Sequence, residues 1–459
     1  MTWANKLTFF ILCALIVLTT VAYGTVHQPT LAVFYIFVAV ALILWAVDAF
    51  LSGNLKFSRS LLQVPLLALF IFGMIQIIPF GSLSDNAGLS DIARTISLDP
   101  FSTKTTSFHI LSLAIFLAVL LSVTVSAKRL QKLVTVITVF GFIFAFFAIL
   151  QSVLSPNKIY GVYESRFASP FGSFVNRHNF AAYMEMTLCL PLGLLFVGGI
   201  NKDKRLLYFT AIGLMGVALL LSGSRGGFIA FLAEVIFLII LTTETKSYNQ
   251  IALKVVLTIV LIASVISGSF FVGGDSSLTR LAETAASENF STDRTQIWSV
   301  TLEVIKNNPL FGAGIGAFGV AYTKYDTNSG LERVEQAHND YLQVLADAGL
   351  VGLAIGLFFL FLLFKTGWKN SKTENIFRRG VVVGALSGCF AILVHSVFDF
   401  VLHTTAISVL FLTLVSLVVS GGTNYEDDLD DFQVRRHKKR RSATVTPIDE
   451  VRKKKEIEA

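Results

Sequence analysis

Arg225 stands in the run Ser222-Gly223-Ser224-Arg225-Gly226-Gly227. Glycine leaves room for a planar, permanently charged guanidinium to line a cavity, where its fork of donors can grip a phosphate through two parallel hydrogen bonds. The plainer reading is an arginine that snorkels to lipid headgroups. Arg294 follows Ser291-Thr292-Asp293, at the start of a helical pattern that Thr292 or Asp293 could cap, and taken alone it reads as a surface charge. His338-Asn339 opens a second helical pattern. An imidazole titrates near neutrality and can take a proton from a hydroxyl, although a lone histidine at a helix start is often only a structural hydrogen bonder. His395 and Asp399 are four residues apart, a spacing that predicts one helical face and either mutual orientation or a pair made tolerable in an apolar setting. Arg177, His178 and Asn179 crowd the start of another apolar run, with Glu185 about 9 Å deeper along a helix. Glu234 lies midway along a further run, where an ionisable group is functional by default and a protonated, hydrogen-bonded carboxyl is the quiet alternative. Gly314-Ile315-Gly316-Ala317-Phe318-Gly319 fits the dinucleotide pattern G-x-G-x-x-G, but no strand precedes it, so a tight turn with close backbone approach fits better.

The elements that must position these residues are apolar helices. Of 459 residues, 54% are hydrophobic and 15% charged, against about 25% charged in soluble domains. That balance excludes a soluble enzyme. Twelve uninterrupted apolar stretches are long enough to cross a bilayer, at roughly 7–26, 30–48, 60–80, 107–126, 132–154, 179–200, 205–222, 226–243, 251–272, 349–365, 380–398 and 404–420. The expected fold is therefore an all-α polytopic membrane protein of about twelve transmembrane helices. One long helical extracytoplasmic loop, residues 273–348, joins spans nine and ten. Residues 1–170 form the first helices, 171–272 a core group, 349–420 the last helices, and 421–459 a disordered charged tail.

The net charge of +7 invites a nucleic-acid reading that its distribution does not support. Residues 423–459 hold ten Lys/Arg and nine Asp/Glu, and the other basic residues mostly fall in short gaps between spans. With both termini in the cytoplasm, 26 of the 37 Lys/Arg lie inside, as the positive-inside rule prefers. The first span begins after Lys6 and outlasts a typical signal-peptide core, so an uncleaved signal-anchor is expected. The basic block Arg435 to Arg441 suits anionic headgroups, which makes membrane lipids a partner and nucleic acid none. Cys13, Cys189 and Cys389 sit inside apolar runs without disulfide or metal-ligand spacing.

Within the long loop, Ile297, Thr301, Val304 and Ile305 share one side of a helix over residues 295–308 that Pro309 stops. Such a helix would lie along the interface or cover a cavity between spans. A second pattern starts near Gln336 and leads into the tenth span.

These residues resemble the bacterial O-antigen ligase and O-antigen polymerase superfamily. The ligase signature is His then Asn/Ser/Gln, nine residues, Gly, two residues and Gly/Thr/Tyr. It is met by His338-Asn339, nine residues to Ala348, then Gly349-Leu350-Val351-Gly352. Further likenesses are the stretch from Phe171 through Asn176-Arg177-His178-Asn179 to Tyr183, the turn carrying Arg225, Arg294-Thr295-Gln296-Ile297-Trp298 with Asn308-Pro309 and Gly312-Ala313-Gly314, and His395 to Phe400. The resemblance spans roughly residues 170–400. It implies a metal-independent, cofactor-free glycosyltransferase of the bacterial inner membrane, working at the outer face on glycan carried by undecaprenyl diphosphate. Arg225 and Arg294 would hold the diphosphate, and His338 would be the base that deprotonates the acceptor hydroxyl. Asn339, Arg177, Asn179, His395 and Asp399 would support them. Asp347 stands where the family often has Glu. The acceptor is lipid A–core oligosaccharide for a ligase, or another lipid-linked repeat unit for a polysaccharide polymerase; protein O-glycosylating members share the same region. A twelve-span secondary transporter is the reading from another class, but no repeat between halves is apparent.

Overall fold

The computed structural model describes residues 1–81, 94–165, 168–243, 259, 263, 289–326 and 333–422, with the side chains of 289–326 described from residue 294 onward. The protein is an all-α, multi-pass membrane protein. Its helices are α1 (Trp3–Val21), α2 (Gln28–Ser52), α3 (Gln63–Gln76), α4 (Pro100–Val123), α5 (Ala127–Leu154), α6 (Arg177–Val197), α7 (Arg205–Leu221), α8 (Arg225–Thr242), α9 (Asn289–Asn307), α10 (Phe318–Thr323), α11 (Asp340–Asn370), α12 (Ile376–His395) and α13 (Thr405–Ser420). A two-residue hairpin, β1 (Lys158–Ile159) with β2 (Tyr163–Glu164), lies between α5 and α6.

Among the described residues, nine helices are long and apolar enough to cross a membrane. Two of the expected spans are shorter than a full crossing: α3 has 14 residues and α13 has 16, against about 20 for a perpendicular span. Apolar content continues past α3 to Ile78, but Pro79 removes a donor and disfavours helix just before it. The expected ninth span, 251–272, and the charged tail from residue 423 lie outside the described residues, apart from Ile259 and Ala263.

α6 is the centre of the bundle, with every residue from Asn179 to Leu194 buried. It meets α12 at glycines: a β-carbon on Gly193 would stand 2.4 Å from Gly384 Cα and 2.5 Å from the Gly380 carbonyl. Without a hydrophobic effect between helices in lipid, such small-residue contacts let backbones approach closely enough for dispersion to hold them. α13 is buried continuously from Thr405 to Val418, which is why a short helix can sit inside the bundle.

The helix ends sort into two faces. Val21 accepts a hydrogen bond from the Tyr160 hydroxyl, Thr20 accepts one from Ser173, and Asn179 donates to Thr404 at 2.8 Å. These contacts gather the end of α1 with the starts of α6 and α13. At the opposite face Asn5 donates to Asp48, Arg129 donates to the carbonyls of Val123 and Asn5, and Arg378 donates to the Ser420 carbonyl. The start of α1 and the end of α13 therefore share the second face. The starts of α8 and α11 and the end of α12 belong to the first.

Candidate active site

Each candidate side chain is delivered by a helix terminus on the first face. α8 starts at Arg225 because Ser224 caps it, its Oγ accepting from the Gly227 N–H at 3.2 Å. The same hydroxyl is 2.9 Å from His178 Nδ1, in the first turn of α6, which Asn176 caps. α11 starts after Asn339, whose Oδ1 accepts from the N–H groups of Tyr341 and Leu342 and whose Nδ2 donates to the Val397 carbonyl at 2.9 Å. Cap and cross-link together hold His338 at φ +50°, a left-handed conformation that a non-glycine residue keeps only where its surroundings over-determine it.

Asp399 is the hub. It lies in the loop between α12 and α13, is 2% exposed, and directs its two oxygens to different partners. Oδ1 is 3.1 Å from His338 Nδ1 and accepts from the Phe400 N–H at 2.9 Å. Oδ2 faces Arg294 Nη2 at 3.6 Å and His178 Nδ1 at 4.0 Å. Arg294 also donates through Nη1 to the Phe398 carbonyl. Burial alone would raise the Asp399 carboxyl pKa. The hydrogen bond from His338, with the charge of Arg294, instead holds it well below the usual carboxylate range. Arg294 is lowered by burial, and Asp399 works against that shift.

A carboxylate accepting at Nδ1 fixes the tautomer of His338 with its proton on that nitrogen. Nε2 is then left with its lone pair, the arrangement of a general base. The ring packs edge-on against Phe400, centroids 4.7 Å apart, which limits its rotation.

Arg225 joins this group through its neighbours. A β-carbon on Gly226 would stand 3.0 Å from Phe398 Cβ and 3.2 Å from His395 Nε2, and one on Gly227 would stand 2.6 Å from Ala181 Cβ. Only glycine lets the first turn of α8 press against the segment that carries Asp399. Arg177 is close by, its Nη1 3.6 Å from where a Gly223 β-carbon would be.

α12 ends at His395, and the Asp399 N–H still donates to the His395 carbonyl at 3.1 Å, but the His395 side chain is taken elsewhere. Its Nδ1 is 2.6 Å from Glu185 Oε1, and both side chains are fully buried. Asn179 does not reach Asp399 in the described contacts; it ties α6 to Thr404. Among the described residues neither buried oxygen of Glu234 has a hydrogen-bond partner, so the quiet alternative of a hydrogen-bonded carboxyl is not borne out.

Behind His338 lies a second network around Asp347. Its Oδ2 accepts from the Gly316 N–H and from Gln343 Nε2, both at 3.1 Å. The glycine loop it holds has φ of +69°, +115° and +80° at Gly312, Gly314 and Gly316. A β-carbon on Gly312 would come within 2.3 Å of the Asp347 backbone, so the motif serves close backbone approach. Gln76 at the end of α3 donates to the carbonyls of Phe311 and Asp347 and accepts from the Ile315 N–H. Gln76 was not visible as a site residue, because its partners are more than 230 positions away. Asp340 was missed for the same reason: its Oδ2 accepts from Ser396, Val401 and Leu402, fastening α11 to the Asp399 loop.

Residues 210–357 match the O-antigen ligase family. This match supports the resemblance to the O-antigen ligase and polymerase superfamily. Members of this family are glycosyltransferase-type enzymes of the membrane. The match contains Arg225, Arg294 and His338, whereas His178 and Asp399 lie beyond its limits. Comparison with curated proteins gives no match.

Proposed function

We propose that this protein transfers glycan from undecaprenyl diphosphate to an acceptor hydroxyl, as an O-antigen ligase-like enzyme of the bacterial inner membrane. The observation that carries this reading is the Asp399 hub, which gathers His338 and Arg294 at the face where α8 begins with Arg225.

Arg225 and Arg294 bind the diphosphate, and Arg177 adds positive charge at the same face. His338 Nε2 takes the proton of the acceptor hydroxyl as its oxygen attacks the anomeric carbon. The bond from that carbon to the diphosphate oxygen breaks, and the polyprenyl diphosphate leaves with the electron pair. The charge growing on the leaving group is met by guanidinium groups already in place, so the step needs neither metal nor cofactor. Asp399 orients the imidazole and stabilises it once protonated.

The site face is extracytoplasmic in this reading, and both termini are cytoplasmic, because the opposite face carries the short basic connections.

The deciding experiment incubates the purified protein with polyprenyl-diphosphate glycan and, separately, lipid A–core oligosaccharide or a second lipid-linked repeat unit. Extension of lipid A–core establishes ligase activity, and extension of the repeat unit establishes polymerase activity. Transfer to neither, nor to any protein acceptor, refutes the proposal.

A further inference from the structure

A cavity of about 300 Å³ is lined by Gln336, two residues before His338 in the chain, and by none of the arginines of the hub. That volume is at the lower end of ligand pockets, which run ~300–1,000 Å³. Its walls come from the starts of α2 and α4, the glycine loop with α10, the strand of chain before His338, and His403. A chain of side-chain contacts links the hub to its wall. Phe400 packs on His338, the His403 ring centroid is 6.5 Å from that of Phe400, and His403 Nε2 is 3.3 Å from Gln336 Nε2. Oδ2 of Asp399 faces Arg294 and His178, while Oδ1 and the base face this side.

The lining is hydroxylated and amidic, with Ser102, Thr105, Thr106, Gln336 and Gln343 in the wall. Its charged groups are Asp99 and an Arg333–Glu335 ion pair at 3.3 Å, so fixed charge there is not positive and does not suit a diphosphate. Phe101, also in the wall, is 79% exposed and offers an aromatic face. Among the described residues, Gln336 Oε1 is buried with no hydrogen-bond partner. A buried acceptor left unmet is destabilising unless a ligand supplies a donor. Dense hydroxyl and amide groups beside one aromatic face suit a neutral sugar ring, which has hydroxyls at its edges and C–H groups on its faces.

We infer that this cavity binds a neutral sugar residue of the acceptor glycan, next to the one whose hydroxyl His338 deprotonates. The inference rests on the proposed transfer reaction and names the acceptor subsite within it. The geometry separates the two substrates across the base. Donor diphosphate lies on the Oδ2 side of Asp399, and acceptor sugar lies on the Oδ1 side.

Gly319 provides the test, because a β-carbon there has only ordinary contacts, at 3.7 Å or more. Gly319→Leu projects into the cavity without a clash at its own backbone, and Gln336→Ala removes the unmet acceptor. With polyprenyl-diphosphate glycan as donor and the acceptor varied, both variants are expected to raise the acceptor KM tenfold or more. Donor KM and kcat at saturating acceptor stay near wild type. A raised donor KM with unchanged acceptor KM, or no change in either, overturns the inference. A parallel binding assay uses core oligosaccharide and repeat-unit glycan freed of lipid, added to purified full-length protein. Wild type should bind one of them and Gly319→Leu should not. Equal binding by both proteins, or by neither, sinks the cavity assignment. Loss of transfer in wild type with intact sugar binding would instead fault the proposed reaction alone.

Discussion

Two buried aspartates, Asp399 and Asp347, stand on either side of the start of α11, and their partners differ in kind. Asp399 is surrounded by a guanidinium and two imidazoles. Asp347 is surrounded by a backbone N–H and a side-chain amide. Neutral donors satisfy a carboxylate and fasten loops, which is all that holding the glycine turn requires. Cationic and titratable partners make the carboxylate part of a charge system that can orient a base and stabilise it when it gains a proton. Burial and aspartate identity are common to both positions, so the donors decide which one does chemistry.

The largest expected effect is at Asp399. Asp399→Asn keeps the size of the side chain but removes the charge and the tautomer control of His338, so transfer falls about 10³-fold while the protein still accumulates in the membrane. Unimpaired turnover in a reconstituted assay would reduce Asp399 to the same standing as Asp347. Arg294→Lys comes next. A point charge cannot form the fork that spans two phosphate oxygens, and transfer drops about 10²-fold, read as loss of kcat/KM for the donor.

Asp347→Ala should act on stability instead. It strands the Gly316 N–H and Gln343 amide, at about 1–3 kcal/mol for each buried group left unmet, and lowers Tm while kcat per folded molecule at saturating acceptor is largely kept. A loss of turnover without a loss of Tm would erase the contrast. The smallest effect is on pH. The folded pKa of Asp399 is depressed, so its stabilising contribution is complete above the ordinary carboxylate value of ~3.9 and is lost only as pH falls through the lower folded value. Tm measured from pH 8 down to pH 5 should therefore show no step that disappears in Asp399→Asn.

Much of this was legible in residue order. Glycine beside Arg225, the start of a helical pattern at His338 and the run of apolar segments each have local causes, and local causes can be read from a sequence. The choice of partners cannot. His395 and Asp399 have helical spacing, but the helix stops at His395, and Glu185 on α6 takes the imidazole instead. Gln76 looked like one amide at the end of an apolar run, and only the folded chain brings Phe311, Ile315 and Asp347 around it. α3 is shorter than its apolar run at 60–80 because hydropathy continues past the residues where helical hydrogen bonding ends, whereas α13 matches its run at 404–420.

The most direct test compares donor binding with transfer in three variants. Binding of undecaprenyl diphosphate to purified protein is measured by native mass spectrometry, alongside transfer from the glycan-bearing lipid. Arg225→Ala and Arg294→Ala should each weaken binding at least tenfold, in line with the loss of a charge-assisted contact. His338→Ala should bind like wild type and transfer nothing. Arginine variants that bind normally, or a His338 variant that still transfers, would contradict a diphosphate grip set beside a histidine base.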